Sequence, residues 1–484
     1  MNEPDAAGSK RQPSPDVLEP PERSGASSTR APPRAIEGTV DTPGSIEATQ
    51  RTHRFNAANG TLLLVQPSRA LPLVDVELTF RTGALSDPKG LEGLTRLTAR
   101  MLRRGTRKRT ALAIDETIDE LGARLGIETG TTRVSFNGTV LARNLEPFVA
   151  LLGELITQPA FRASELASLK RQTLADLVES CDHDQVLAAR HFRRYLFPGH
   201  PLGRSAAGSL TSVRAIRRAH LLDHYRAHFV AHNLMVGFAG AVSASRAREL
   251  LDRHLGRIRS GSRPKQLPRR PSVARGRRVL IVDKPERTQT QVIIGTLGVR
   301  AHDRDALALD VANTVFGGTF TSRLTNEVRS KRGWSYGASS SFGHARHRDA
   351  WSMWTFPATR DAVACIKMQL RLLERWVDKG ISARELRFAQ DYLAKSHAFD
   401  IDTPGKRLEE ALEIELLGLP RNFGRTYVRR IREVTRSQAN RALASHLSYR
   451  DLTIVVVATA DELRDKLASL PGVGKLEVVP FDRV

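Results

Sequence analysis

Apolar and polar residues alternate from Leu73 to Phe80. Val74, Val76, Leu78 and Phe80 fall on one face and Asp75, Glu77 and Thr79 on the other, the pattern of a half-buried strand. The apolar spacing then becomes helical. Residues 90–104 and 111–122 predict helices, the second with Ile114, Ile118 and Leu121 in one stripe and Gly122 at its stop. Residues 132–140 predict a strand and 145–156 a strongly apolar helix. Ala163–Glu179 predicts a helix whose main apolar positions are Leu166, Leu169, Leu174 and Leu177. Leu234–Gly240 closes the series as a strand, followed by a helix over 243–256. From about Val279 the order recurs. Strands are predicted over 292–295, 351–356 and 452–458, and helices over 303–316, 322–331, 362–378, 383–398 and 405–417. Trp351 and Trp354 read as core or interface aromatics.

The recurrence is visible in the residues. Glu165-Leu166-Ala167-Ser168-Leu169 resembles Glu385-Leu386-Arg387-Phe388-Ala389, Asn233-Leu234-Met235-Val236 resembles Asp451-Leu452-Thr453-Ile454, and the turn at Pro198 resembles that at Pro420. The offsets are nearly equal, so a unit of domain size is used twice. Strands grouped with helix pairs predict an α+β fold. It consists of two homologous units, each a mixed or antiparallel β-sheet covered by helices on one face and forming half of a clam shell. The units span 51–258 and 279–484. Between them, 259–278 reads as a basic, extended linker, with eight Lys/Arg and no acid. Residues 1–50, rich in Pro, Ser, Ala and Gly, read as a disordered tail.

The chain carries +23, and the tail contributes −3, which leaves +26 on the rest. A charge this high suggests an acidic partner or nucleic acid. No nucleic-acid-binding signature accompanies it, so a basic solvated surface is the simpler reading. Two cysteines, Cys181 and Cys365, exclude a disulfide framework or a cysteine zinc cluster. The absence of a leader pattern or long apolar run predicts a cytoplasmic protein without a membrane span. Gly90-Leu91-Glu92-Gly93 lacks the Lys-Ser/Thr of a phosphate loop. His220, His224, His228 and His232 recur every four residues, a metal-ligand spacing that no nearby acid or cysteine completes. They read as a solvated or partner-facing helix stripe. Asp176 and Glu179, either side of Leu177, read as solvated acids.

Residues 93–106 with the helix that follows, and the turn His200-Pro201-Leu202-Gly203, resemble the first-half motifs of the pitrilysin/insulinase family of zinc metallopeptidases. Phe316-Gly317-Gly318, Ser322-Arg323-Leu324, Val328-Arg329 and Gly333-Trp334-Ser335-Tyr336 resemble its second-half motif. Active members carry His-x-x-Glu-His, two zinc ligands around a general base. Anchored on Gly105-Thr106, those positions hold Arg96-Leu97-Thr98-Ala99-Arg100, and the third-ligand position falls near Leu177. Arg is always protonated and is no zinc ligand. The resemblance therefore implies no cofactor in this chain and no catalysis by it alone.

The family's substrate-contacting Arg and Tyr match Arg329 and Tyr336. A guanidinium and a phenol can donate to charge developing on a peptide carbonyl. Gly317 and Gly318 read as allowing close backbone approach by substrate. The resemblance thus implies the zinc-less subunit of a heterodimeric metalloendopeptidase. Arg329 and Tyr336 would complete the site of a His-x-x-Glu-His partner, which holds the zinc, and the substrate would be a peptide or unfolded protein. The alternative is a non-enzymatic scaffold of the same fold.

Overall fold

The computed structural model describes residues 52–262, 270–272 and 275–482; the tail over 1–50 and much of the linker over 259–278 lie outside them. The first half runs β1 (His53–Asn56), β2 (Leu62–Pro67), β3 (Leu73–Phe80), α1 (Leu94–Leu102), α2 (Ala111–Glu120), β4 (Arg124–Thr129), β5 (Val134–Leu141), α3 (Leu145–Thr157), α4 (Ala163–Glu179), α5 (Asp184–Leu196), α6 (Leu210–Ala215), α7 (Arg218–His228), β6 (Leu234–Gly240) and α8 (Ala244–Leu250). The second runs β7 (Arg277–Asp283), β8 (Gln291–Leu297), α9 (Ala306–Phe316), α10 (Arg323–Thr325), β9 (Ala338–Phe342), β10 (Ala350–Thr355), α11 (Thr359–Lys379), α12 (Ala383–Asp400), α13 (Pro404–Leu417), α14 (Phe423–Glu433), α15 (Arg436–His446), β11 (Thr453–Ala458), α16 (Ala460–Ala468) and β12 (Val473–Pro480).

The fold is α+β, with two six-stranded mixed sheets ordered β1-β2-β6-β3-β5-β4 and β12-β7-β11-β8-β10-β9. Five strands correspond. β2 pairs parallel to β6 as β7 does to β11, and the remaining shared pairings are antiparallel in both. Only the edge strand differs. The first half takes β1 from its start, antiparallel to β2, whereas the second takes β12 from its end, parallel to β7. The offsets of the repeat match this correspondence: they pair α4 with α12, β6 with β11, and the end of α5 with the end of α13.

Each half has its own core. Val74, Val76, Leu78 and Phe80 of β3 are buried with Leu97 of α1 and Phe148 and Leu152 of α3; Val292 and Ile294 of β8 are buried with Phe316, Trp351 and Trp376. This is the helix-covered face that alternation predicts. The opposite face of each sheet is covered too, by one helix from the other half. Leu187, Phe192 and Leu196 of α5 pack with Leu280, Ile293, Val455 and Val457 of the second sheet. Reciprocally, Leu408 and Leu412 of α13 pack with Leu62, Leu64, Met235 and Ala239 of the first. Two strand glycines make room. A Cβ on Gly295 would lie 2.6 Å from the Phe192 ring, and one on Gly237 2.9 Å from Leu408.

The exchange corrects the reading of β3 as a half-buried strand. Thr79 is fully buried, and burial pushes the Glu77 carboxyl above the usual range, with Glu409 of α13 adding to it. It also explains β2, β6 and β11, which are apolar on both faces and carry no alternation.

Polar contacts fix both crossings. Lys284, 5% exposed, donates to the Cys181 and Asp182 carbonyls at 2.9 and 3.0 Å and to Asp184 of α5 at 2.7 Å. Arg193 bonds Asp349 at 3.0 Å and Tyr195 bonds Glu477 at 2.8 Å. On α13, Glu415 accepts from Arg54 at 2.9 Å, and Glu413 pairs with Arg133. Cys181 and Cys365 are both buried and unpaired with each other.

One prediction follows from the crossed helices. Phe192→Ala will lower the unfolding free energy by about 3–5 kcal/mol in chemical denaturation, and Gly295→Val will lower it by more than about 1 kcal/mol. Wild-type-like midpoints in both variants would mean that α5 contributes no packing.

The second prediction concerns pH. Burial, with Arg190 and Arg194, lowers His191 of α5 to about 4; burial, with His228, lowers His224 to about 3; and burial raises Asp87 to about 6. Unfolded histidine protonates near pH 6.5, so each histidine gives stability that is present above that pH and lost as pH falls. Asp87 acts in the opposite sense between about 6 and 4 and offsets one of them. His191→Leu should therefore reduce the loss of stability between pH 6 and 4.5 by about 1.4 kcal/mol per pH unit. The test is to compare denaturation midpoints of the two proteins across that range.

Candidate functional site

Helix α1 presents the five positions that the resemblance aligns with the zinc motif. Its start is fixed by Asp87, which accepts from the Gly93 and Thr95 amides at 2.8 Å each and from the Thr95 hydroxyl at 2.6 Å. Gly93 has φ 95°, and a Cβ there would lie 2.9 Å from the Ala207 carbonyl, so glycine is required. Leu97, Thr98, Ala99 and Met101 turn into the core, Ala99 with no exposed surface. Arg96, Arg100, Arg103 and Arg104 line a cleft of about 480 Å³ between α1, α2 and β4.

Helix α4 lies beside Arg100 and Arg104. Leu177, the predicted third-ligand neighbour, is buried in the core. The residues turned toward Arg100 are Gln172 and Thr173, each at 3.3 Å, and Asp176 at 3.7 Å. Asp176 stays 42% exposed, in keeping with a solvated acid, and also lies toward a guanidinium. The i, i+4 spacing from Gln172 could have found it. Among the described residues no group of three or more His, Cys, Asp or Glu could hold a metal ion.

The histidine ladder is structural. His224 is 5% exposed, and its Nε2 lies 2.9 Å from the Thr95 hydroxyl. Its ring lies 4.3 Å from that of His228, which burial also lowers in pKa. His220 accepts the Arg217 amide at the start of α7, and His232 lies beyond the helix on a turn against Gly60. The solvated-stripe reading is therefore corrected. The middle of α7 packs against α1, and its histidines stay neutral inside.

The second half displays Arg329 and Tyr336 together. Ser322 caps α10, and the chain continues as a π turn over Asn326–Ser330. Leu324 and Val328 are fully buried and anchor this segment. Arg323 donates to both Glu385 oxygens at 2.7 Å and to the Gly380 carbonyl at 3.0 Å. Although burial pushes the Glu385 carboxyl up, hydrogen bonds from Arg323 and Ser382 hold it at about 2. Trp334 N bonds the Val328 carbonyl at 3.0 Å, and the Ser335 hydroxyl bonds the Gly337 carbonyl at 2.6 Å, so the returning loop is also fixed.

On the outer side the Arg329 guanidinium lies 4.3 Å from the centroid of the Tyr336 ring and 5.4 Å from that of Phe320. Tyr336 and Phe320 are 74% and 79% exposed. Sequence reasoning missed Phe320, although it sits between the matched Gly317-Gly318 and Ser322-Arg323-Leu324. Gly317 is buried, with Ser340 donating to its carbonyl at 2.9 Å, and a Cβ there would lie 2.3 Å from the Ser340 hydroxyl. A Cβ on Gly318 would lie 2.8 Å from Thr314. Both glycines let α9 turn closely onto β9. The cluster offers two donors on aromatic surface and carries no general base.

Residues 65–209 match the family described as Insulinase (Peptidase family M16), and residues 215–393 match Peptidase M16 inactive domain. The chain is 24% identical over 417 residues to the non-peptidase homolog YmxG of Helicobacter pylori, covering 85% of this chain and 95% of that one. It is 24% identical over 413 residues to an uncharacterized zinc protease of Mycobacterium tuberculosis, covering 84% and 93%. Among solved structures, a peptidase M16 inactive domain from Pseudomonas fluorescens aligns with TM-score 0.78 at 25% identity, over 84% of this chain and 97% of its own. A protease from Helicobacter pylori aligns with TM-score 0.79 at 15% identity, over 84% and 100%, a likeness of fold.

Protein incubated with equimolar zinc and then dialysed should retain less than about 0.1 zinc per chain by elemental analysis, because Arg96, Ala99 and Arg100 supply no ligand. Stoichiometric retention would require ligands outside the α1 cleft.

Proposed function

We propose a function from one premise: the chain belongs to the insulinase (peptidase M16) family, with both of its domains present. The chain acts as the zinc-less subunit of a two-chain metalloendopeptidase. It holds peptide or unfolded-protein substrate and stabilises the transition state at a partner that carries His-x-x-Glu-His and the zinc. Arg329 and Tyr336 are its catalytic residues, acting in trans. The observation that carries this reading is the contrast between the halves. The α1 cleft holds arginines where a metal would need neutral or anionic ligands, while Arg329 and Tyr336 stay together and exposed.

The division of labour follows from the chemistry. The partner's metal would supply the activated water. Arg329 and Tyr336 would donate hydrogen bonds to the carbonyl oxygen as it gains charge, worth about 100-fold in rate for a single donor. Gly317 and Gly318 hold the wall beside them rigid, and Phe320 gives substrate an apolar surface. Two buried free thiols fit a reducing compartment such as the cytoplasm.

The second reading, a non-enzymatic scaffold, is favoured by one observation: the YmxG relative is described as a non-peptidase homolog. Affinity purification from the native cell separates the two. Co-purification with a stoichiometric chain bearing His-x-x-Glu-His supports the split peptidase. In that complex Arg329→Ala and Tyr336→Phe should each lower peptide turnover about 100-fold while leaving assembly intact. Unchanged turnover in both variants removes the catalytic role, and recovery of the chain alone favours the scaffold.

A further inference from the structure

The α1 cleft has a feature that loss of a metal site does not require: four half-buried arginines on α1 and the turn that follows it. Their local partners do not neutralise them. Arg103 is paired with Asp115 at 2.8 Å, and Arg100 lies 3.7 Å from Asp176. Arg104 bonds only the neutral amide of Gln172, at 3.0 Å. Among the described residues the Arg96 side chain makes no hydrogen bond or ion pair. Burial disfavours the charged form of Arg100, and repulsion from Arg96 and Arg104 adds to it. Four half-buried guanidiniums have two carboxylates within 4 Å, so an added anion would be stabilised there.

The spacing selects the anion. Arg96 and Arg100 follow each other at i, i+4 within α1, a rise of about 6 Å, and Arg104 lies two residues past the end of the helix. In an extended peptide, alternate side chains are about 6.6 Å apart. The opposite wall is β4, the terminal strand of its sheet, which contributes Ile127 and Thr129. Among the described residues no aromatic side chain lines the cleft, so these residues offer no stacking surface of the kind used by single-stranded nucleic acid.

We propose that the α1 cleft is a binding site for an acidic peptide segment in extended form, with carboxylates at alternate positions engaged by Arg96, Arg100 and Arg104. This deepens the substrate-holding reading by naming the substrate's chemistry. It is tested on the full chain alone, so its outcome is independent of any partner or of turnover.

The probes are fluorescein-labelled peptides of alternating Glu and Ala, the same peptide with Gln for Glu, and an oligothymidylate of equal length, measured by fluorescence anisotropy. The Glu peptide should bind at least about ten-fold more tightly than the Gln peptide. That preference should weaken between about 50 and 300 mM salt. Arg96→Gln, at a side chain that holds nothing in the fold, should cost several-fold in affinity, and Arg96→Gln with Arg100→Gln about ten-fold or more. Arg360→Gln with Arg429→Gln, at exposed positions elsewhere, should leave binding unchanged. Equal binding of the Glu and Gln peptides, equal losses in the control variant, or tighter binding of the oligothymidylate would each overturn the proposal.

Discussion

The structure depends on the mutual exchange of α5 and α13. Each sheet has its own helices on one face and would leave a second apolar face open to water. The helix that covers that face comes from the other half. Leu62, Leu64, Met235 and Ala239 on one side, and Leu280, Ile293, Val455 and Val457 on the other, are buried only because the partner half delivers Leu408 and Leu412 or Leu187, Phe192 and Leu196. Burial of such side chains is worth about 1.5–3 kcal/mol each. Neither half is complete without the other, and the two sheets form one cooperative unit.

This constraint frees the outer elements to diverge. α1 packs through Leu94, Leu97, Thr98, Ala99, Met101 and Leu102 and enters at Gly93, whereas the Arg96 side chain lies outside that packing. In the second half, buried Leu324 and Val328 and the Arg323–Glu385 pair hold the segment that carries Arg329. One half therefore carries a cationic cleft, and the other a guanidinium beside two exposed aromatic rings. The duplicated frame carries two unlike surfaces.

Much of the fold was legible in the residues. Alternation marked β3, helical spacing marked α3 and α4 to within a residue, and the offsets of the repeat identified equivalent elements before any coordinates. Two of the elements that escaped share a cause. β2 and α5 are buried on more than one side, so their apolar residues follow no single period, and α5 in particular was missed. The histidines of α7 were misread for a related reason: spacing along a helix does not say which face another helix will cover, and α1 covers His224.

The sequence by itself determined that a unit is used twice, that the halves are α+β, that Arg96, Ala99 and Arg100 occupy the positions the resemblance aligns with a zinc motif, and that Arg329 and Tyr336 stand seven residues apart in a matched segment. These are properties of local spacing and residue type, which need no partner element to be read. The tertiary structure alone decided that the helices cross between halves, that Phe320 joins Arg329 and Tyr336, that Asp176 and not Leu177 faces Arg100, and that four arginines share one cleft. Each of those joins residues far apart in the chain or selects one face of an element, and only packing of the whole chain brings such groups within a few ångströms.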